Sequence, residues 1–332
     1  MRVYSTQKEP LKTILARKYS ETADVSDVVS KIIKRVQTDG DQALYQIIEE
    51  IDHVVLDSLA VSQEEIDSAL KAVSPELLKV MEQSKENIWS FHQKQVRQGF
   101  VSTEDSGVVM GQRILPLARV GVYVPGGTAA YPSTVLMDVL PAKIAGVKKI
   151  VMVTPTDNEG NVPAAILAAA SIAGVDEIYK VGGAHGVAAL AYGTDTIPKV
   201  DKIVGPRNIY VATAKKMVYG EVDIDMIAGP SDVLIVADPS ANPRWIAADL
   251  LAQAEHDKLA QAILVTTEEA LIEKVQTEVA QQLAALPRQE IAAAAIENNG
   301  KIILVKDIEE ALSIANQIAP EHLELSVAEP FA

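Results

Sequence analysis

The chain has 332 residues and a formal net charge of −15, with 48% hydrophobic but only 4% aromatic residues and no cysteine. Such an acidic balance excludes nucleic acid and anionic membrane surfaces as expected partners, since both need a basic footprint. The missing cysteines exclude disulfides, thiolate catalysis and cysteine-based zinc sites, so any metal must be held by His, carboxylate or amide groups.

A core of Ala, Val, Ile and Leu suits buried parallel strands under helices, so the expected class is α/β. The length allows two compact units. The opening MRVYSTQKEPLK lacks a continuous apolar run, and no stretch is long and uncharged enough to span a bilayer, which predicts a cytoplasmic protein.

In chain order, the first hundred residues read as helices, with apolar positions recurring at three and four through Val28–Val36, Ala43–Ile51 and Leu77–Phe91. Asp24, Ser26 and Ser74 are predicted at or beside helix N-caps. From Val101 to Val124 the pattern turns strand-like, with turn residues Asp105, Ser106 and Gly107, as at the entry into a sheet. Strands are then predicted at Val120–Val124, Lys149–Val153, Glu177–Val181 and Lys202–Val204, separated by helical runs of the length a right-handed crossover needs. Gly229 and Pro230 mark a loop feeding a buried strand, Val233–Val236. A second alternation follows: helix Pro243–His256, strand Ala262–Thr266, helix Glu268–Leu286, strand Lys301–Val305 and helix Ile308–Ile318. Two Rossmann-like units with parallel-rich sheets are implied, and the cleft of such units is where α/β proteins bind ligands.

Three features point to chemistry. Gln253 and His256 lie three apart at the end of a predicted helix, where an amide oxygen and a neutral imidazole on adjacent turns make half of a zinc site. Glu321 and His322 follow Pro320 directly and pair two proton acceptors for one substrate. Gly126–Gly127, Gly182–Gly183 and Gly205 mark three strand ends, consistent with a binding rim, although the spacing is not the GxGxxG of a dinucleotide fingerprint. His185 beside that rim is a further candidate, whereas His53 and His92 read as structural.

The segments VGVYVPGG, KVDKIVGP, IDMIAGPS, DLLAQAEH and PEHLEL, in this order, closely resemble the histidinol dehydrogenase family from about Asn87 onward. The resemblance implies a homodimeric, zinc-dependent (Zn2+), NAD-linked enzyme that oxidises L-histidinol through L-histidinal to L-histidine. It implies that Gln253 and His256 ligate zinc and touch substrate together with Ser231. It further implies that His322 takes the alcohol proton and binds substrate, that Glu321 activates the water of the second step, and that Tyr123, His185 and Asn208 line the NAD site.

Three positions depart from the family pattern: His185 stands where glutamine is usual, Arg207 where glycine is usual, and Asp232 where glutamate is usual. The family also continues for about a hundred residues beyond the PEHLE motif. That region supplies an aspartate and a histidine to zinc and a glutamate near substrate, the histidine and glutamate coming from the partner subunit. The expectation is therefore a C-terminally shortened homologue with a helical segment and the start of the first unit at 1–119, a second unit at 120–230, and the interrupted remainder of the first at 231–332. Two alternatives stand beside it: a catalytically impaired descendant that binds a nucleotide or an imidazole-like ligand, and a related dehydrogenase acting on another alcohol.

Overall fold

The computed structural model describes residues 1–15, 25–126, 131–206, 208–226 and 231–331. Residues 23–227 gather into a central unit, and residues 1–22 with 228–332 into a terminal unit. The chain opens in the terminal unit with β1 (Arg2–Ser5) and α1 (Leu11–Leu15).

The central unit begins with α2 (Ser26–Ile47), α3 (Gln63–Ala72) and α4 (Pro75–His92). The two predicted helical runs inside α2 meet at Gly40, whose φ of 52° breaks the regular backbone. Helix α2 continues into one π-helical turn, Ile48–Asp52, closed by His53 in the left-handed region at φ 57°. Ser74 caps α4 through its hydroxyl, which accepts the Leu77 N–H, and Ser62 caps α3 in a reciprocal box with Glu65. Ser26 is the first helical residue rather than the cap, which is Val25, and Asp24 lies outside the described residues.

The strand-like stretch after residue 100 differs from expectation. Among the described residues, strands β2 (Phe100–Thr103) and β3 (Val109–Gln112) pair only with each other, as an antiparallel hairpin turning at Gly107, and every residue of both is exposed. Ile114 and Leu115 lie outside any strand, because Pro116 has no N–H to give a ladder.

The alternation then runs β4 (Arg119–Tyr123), α5 (Pro132–Ile144), β5 (Lys149–Val153), α6 (Ala164–Ala173), β6 (Glu177–Tyr179), α7 (Gly183–Tyr192), β7 (Lys202–Val204), α8 (Ile209–Val218) and β8 (Asp223–Ile224). These strands form one all-parallel sheet in the order β6-β5-β4-β7-β8. Helices α2, α7 and α8 cover one face and α3 to α6 the other, each through its own apolar cluster. Order reverses between β4 and β7, so the crevice beyond their carboxyl ends is the natural ligand position.

The terminal unit repeats the plan with β9 (Asp232–Ala237), α9 (Pro243–Ala254), β10 (Gln261–Thr266), α10 (Glu269–Leu283), α11 (Gln289–Asn299), β11 (Lys301–Leu304), α12 (Ile308–Ile318) and β12 (His322–Ser326). Its sheet is also all parallel, in the order β1-β11-β10-β9-β12. Helices α9, α10 and α11 cover one face, and α1 and α12 the other. Neither β1 nor α11 is signalled by periodicity. Strand β1 is four residues at a chain end, and α11 carries the run AAAA, whose strong helix propensity has no amphipathic pattern to reveal it.

Candidate active site

The terminal unit gathers its predicted residues at the amino ends of its strands. Ser231 immediately precedes β9, and its carbonyl accepts the N–H of Gln261, the first residue of β10. Asp232 opens β9, buried, and its Oδ1 accepts the Glu321 N–H at 2.7 Å. That bond fixes Glu321 beside β9 and starts β12 in register, with His322 opposite Val233. Ala319, left-handed at φ 49°, ends α12 and turns the chain toward this edge.

Alternation along β12 decides which way the pair can act. His322 and Glu324 lie opposite Val233 and Ile235, whose side chains belong to the cluster packed under α9, so both share the α9 face. Gln253 lies in the last turn of α9, which runs back toward the same amino ends. Sheet and helix thus bring Gln253, Ser231, Glu321 and His322 to one end of one unit. Glu324, which sequence reasoning passed over, also faces α9. Burial raises its carboxyl above the ordinary range, and Asp249 on α9 raises it further by charge and hydrogen bonding, against the opposing effect of His322.

The Gln253–His256 pair does not lie on a continuous helix. Helix α9 stops at Ala254, and the His256 N–H closes a tighter turn onto the Gln253 carbonyl at 3.2 Å. Gln253 is buried while His256 is exposed. The buried Nε2 of Gln253 has no hydrogen-bond partner among the described residues. Because amide oxygen and nitrogen are interchangeable in such an assignment, that orphan end suits a metal-donor oxygen. The donor set is nevertheless incomplete: among the described residues no group of three or more His, Cys, Asp or Glu is gathered, and a catalytic zinc needs three protein ligands. Gln253 and His256 supply two.

The central unit places its candidates at the opposite, carboxyl ends of its strands. Tyr123 ends β4, is 3% exposed, and its hydroxyl accepts the Gly183 N–H at 3.2 Å. Burial pushes this phenol up to about 12; the Gly183 bond opposes the rise and the charge of Asp52 adds to it. Asn208 caps α8, its Oδ1 accepting the Val211 N–H at 3.0 Å, so part of its role is structural. The glycines sit where strand ends close tightly: an added Cβ at Gly126 or Gly182 would strike the Pro155 ring, and one at Gly205, with φ +124°, would strike the Tyr123 carbonyl. Gly127, Arg207, Gly229 and Pro230 lie outside the described residues.

His185 sits in the first turn of α7, 2% exposed, with a buried Nε2 that has no hydrogen-bond partner among the described residues. The Asp52 carboxylate faces it at 3.9 Å. Burial pulls the imidazole down to about 4, so at neutral pH it is uncharged and the contact is not an ion pair.

A second buried group escaped the sequence pattern. Lys215, fully buried on α8, donates to the Gly205 carbonyl at 3.1 Å and pairs with Asp225. Asp225 in turn accepts the Gly205 N–H at 3.0 Å and the Met226 N–H at 2.6 Å. Asp138 on α5 stands nearby, its Oδ2 unpartnered among the described residues and its carboxyl pushed up to about 7 by burial and by Asp225, with Lys215 opposing. A lysine in the amphipathic run IYVATAKKMV carries no sign of burial, which explains why pattern alone missed it.

With no cysteine available, a carboxylate and an imidazole side by side can move protons but not form a thiolate adduct. In a chain that also carries a doubly wound unit with an open switch point, that is the equipment of an α/β oxidoreductase. A family model described as histidinol dehydrogenase matches residues 15–332. The histidinol dehydrogenase of Listeria monocytogenes serovar 1/2a is 56% identical over 311 residues, spanning 94% of this chain and 73% of that protein. That of Streptococcus mutans serotype c is 56% identical over 307 residues, 92% of this chain and 71% of the relative. The crystal structure of histidinol dehydrogenase from Elizabethkingia anophelis superposes with a TM-score of 0.95 at 38% identity, covering 99% of this chain and 76% of that one. The chain belongs to the histidinol dehydrogenase family, whose members act in histidine biosynthesis.

Proposed function

We propose that this chain carries out the NAD-linked oxidation of L-histidinol through L-histidinal to L-histidine. The observation that carries the reading is the Asp232–Glu321 bond, which holds the adjacent Glu321–His322 pair at the same sheet end as Ser231 and Gln253. In this reading the His322 imidazole takes the proton of the substrate hydroxyl in each oxidation. Glu321, one residue earlier, orients and deprotonates the water that hydrates the aldehyde. Ser231 and Gln253 hold the amino-alcohol end in place.

NAD, when bound, supplies the hydride acceptor. The carboxyl ends of β4 and β7, with Tyr123, His185 and Asn208, fit a dinucleotide because they lie at a switch point and offer a buried, unpartnered imidazole nitrogen. Zinc fits only in part, since Gln253 and His256 are two donors of the three required, and no proton transfer above depends on it. The homodimer belongs to the same proposal and is read by light scattering of the purified chain. Among the described residues no helix is long and apolar enough to cross a membrane.

The deciding experiment is NADH formation from L-histidinol and NAD with added zinc, run beside the His322→Ala variant. Turnover that the variant loses supports the proposal; turnover that the variant keeps removes His322 from it. A second reading, a nucleotide binder without turnover, is favoured by the shortfall of zinc donors. Its mark is NADH binding without product from any alcohol tested.

A further inference from the structure

Dinucleotide-binding sheets of this kind usually carry an acidic residue at the end of the second strand of the crossover order, where its carboxylate takes the hydroxyls of the adenosine ribose. In the central unit that strand is β5, and Thr154 and Pro155 follow it. The next carboxylate, Asp157, is already committed, its Oδ1 accepting the N–H groups of Glu159 and Asn161 at 2.9 Å each.

Another carboxylate is brought there from outside the alternation. Asp52 ends the π-helical turn after α2, and His53 turns the chain sharply just beyond it. Asp52 faces His185 in the first turn of α7, and its charge is felt by Tyr123 at the end of β4. Its side chain is 33% exposed and takes no hydrogen bond from any described residue, while burial raises its carboxyl above the ordinary range. A half-buried carboxylate without a donor is costly to keep. So is a buried imidazole nitrogen without a partner, which is the state of His185 Nε2. The two atoms are 3.9 Å apart, beyond direct hydrogen-bond distance.

We propose that Asp52, with His185 beside it, reads the adenosine ribose of the cofactor and selects NAD over NADP. The inference rests on the NAD reading above and adds to it a residue and a specificity. A carboxylate only accepts hydrogen bonds, and the vicinal hydroxyls of an unmodified ribose only need to donate. A 2′-phosphate offers no such donor and sets negative charge against negative charge. His185 completes the contact as donor to a ribose oxygen or acceptor from its hydroxyl, according to its tautomer.

Calorimetric titration of NADH and NADPH into the full chain and into Asp52→Asn tests this without turnover. The expected result is that the wild-type chain binds NADH at least about ten-fold more tightly than NADPH, the worth of one hydrogen bond to a charged group. Asp52→Asn, nearly identical in shape, then weakens NADH about ten-fold, binds NADPH no more weakly than the wild-type chain because the charge repulsion is gone, and melts no lower than wild type. A matched experiment on the wild-type chain needs no substitution: ADP-ribose binds about ten-fold more tightly than 2′-deoxy-ADP-ribose. Equal wild-type affinity for NADH and NADPH overturns the inference, as does an unchanged ratio in Asp52→Asn or indifference to the 2′-hydroxyl. Failure of the wild-type chain to bind NADH at all overturns the NAD reading itself and the inference with it.

Discussion

The two units share one strand plan and use opposite ends of it. In the central unit the order β6-β5-β4-β7 leaves the candidate cofactor residues at the carboxyl ends, the position the switch-point rule predicts. In the terminal unit the equivalent order is β11-β10-β9-β12, yet Ser231, Glu321 and His322 stand at the amino ends. Two aspartates mark the two ends of β9. Asp238, just past β9, accepts the Ala328 N–H at 2.8 Å and, through its other oxygen, the Ser240 N–H at 2.8 Å, stapling the loops that follow β9 and β12. Asp232, at the start of β9, accepts the backbone N–H of Glu321, and the Glu321 and His322 side chains are exposed. The central unit is arranged the other way. Asp201 and Asp176 close its amino ends by accepting the Arg119 and Ile150 N–H groups, each at 2.8 Å. The lesson is that strand order names a crevice at the carboxyl ends but does not by itself fix which strand end carries the candidate residues.

If proton chemistry belongs to the terminal unit and cofactor binding to the central one, substitutions should separate them. The largest effect is expected for His322→Ala, which lowers kcat by about 10²–10⁴-fold, the usual worth of a positioned general base, while NADH affinity measured by calorimetry stays within about two-fold. A parallel loss of NADH affinity would break the division of labour.

Next is Lys215→Met. It strands Asp225 beneath the β7–α8 loop and costs about 3–5 kcal/mol of stability by denaturant unfolding, as losing one partner of a buried pair does. Lys199→Met, which removes an exposed pair with Glu221 in the same unit, costs under about 1 kcal/mol. Equal losses would show that the buried cluster carries no special weight.

Asp138 gives a pH signature to the central unit alone. Its folded carboxyl is pushed from 3.8 up to about 7, so the folded state holds the proton more tightly than the unfolded chain. The resulting stabilisation is complete below the unfolded pKa and is lost as pH rises from about 4 through about 7. Asp138→Asn should flatten that fall and melt higher than wild type above pH 7, as followed by melting temperature against pH. A wild-type profile flat across this window would contradict the burial of Asp138.

The smallest effect is expected for Asn208→Ala, which removes the α8 cap at a cost of about 1 kcal/mol. Calorimetry with NADH then separates the two roles of Asn208, since a cap alone leaves affinity unchanged and a cofactor contact lowers it.

Much of this molecule is legible in one dimension. The alternation of β-branched runs with Ala- and Leu-rich helical runs announces two parallel α/β units, because strand and helix periods are local properties of the chain. The adjacency of Glu321 and His322 and the ordered glycine, serine and glutamine motifs identify the family before any fold is drawn. Tertiary structure alone decided the rest. That β12 pairs with β9, and so turns His322 toward α9, depends on a bond from Asp232 spanning 89 positions. That Asp52 meets His185 depends on α2 packing against α7 in one apolar cluster. The burial of Lys215 brings it to Asp225 and the Gly205 carbonyl, ten residues away on either side. Each of these is a long-range pairing whose partners carry no mark in their own neighbourhood, because desolvation and register exist only once distant segments close on one another.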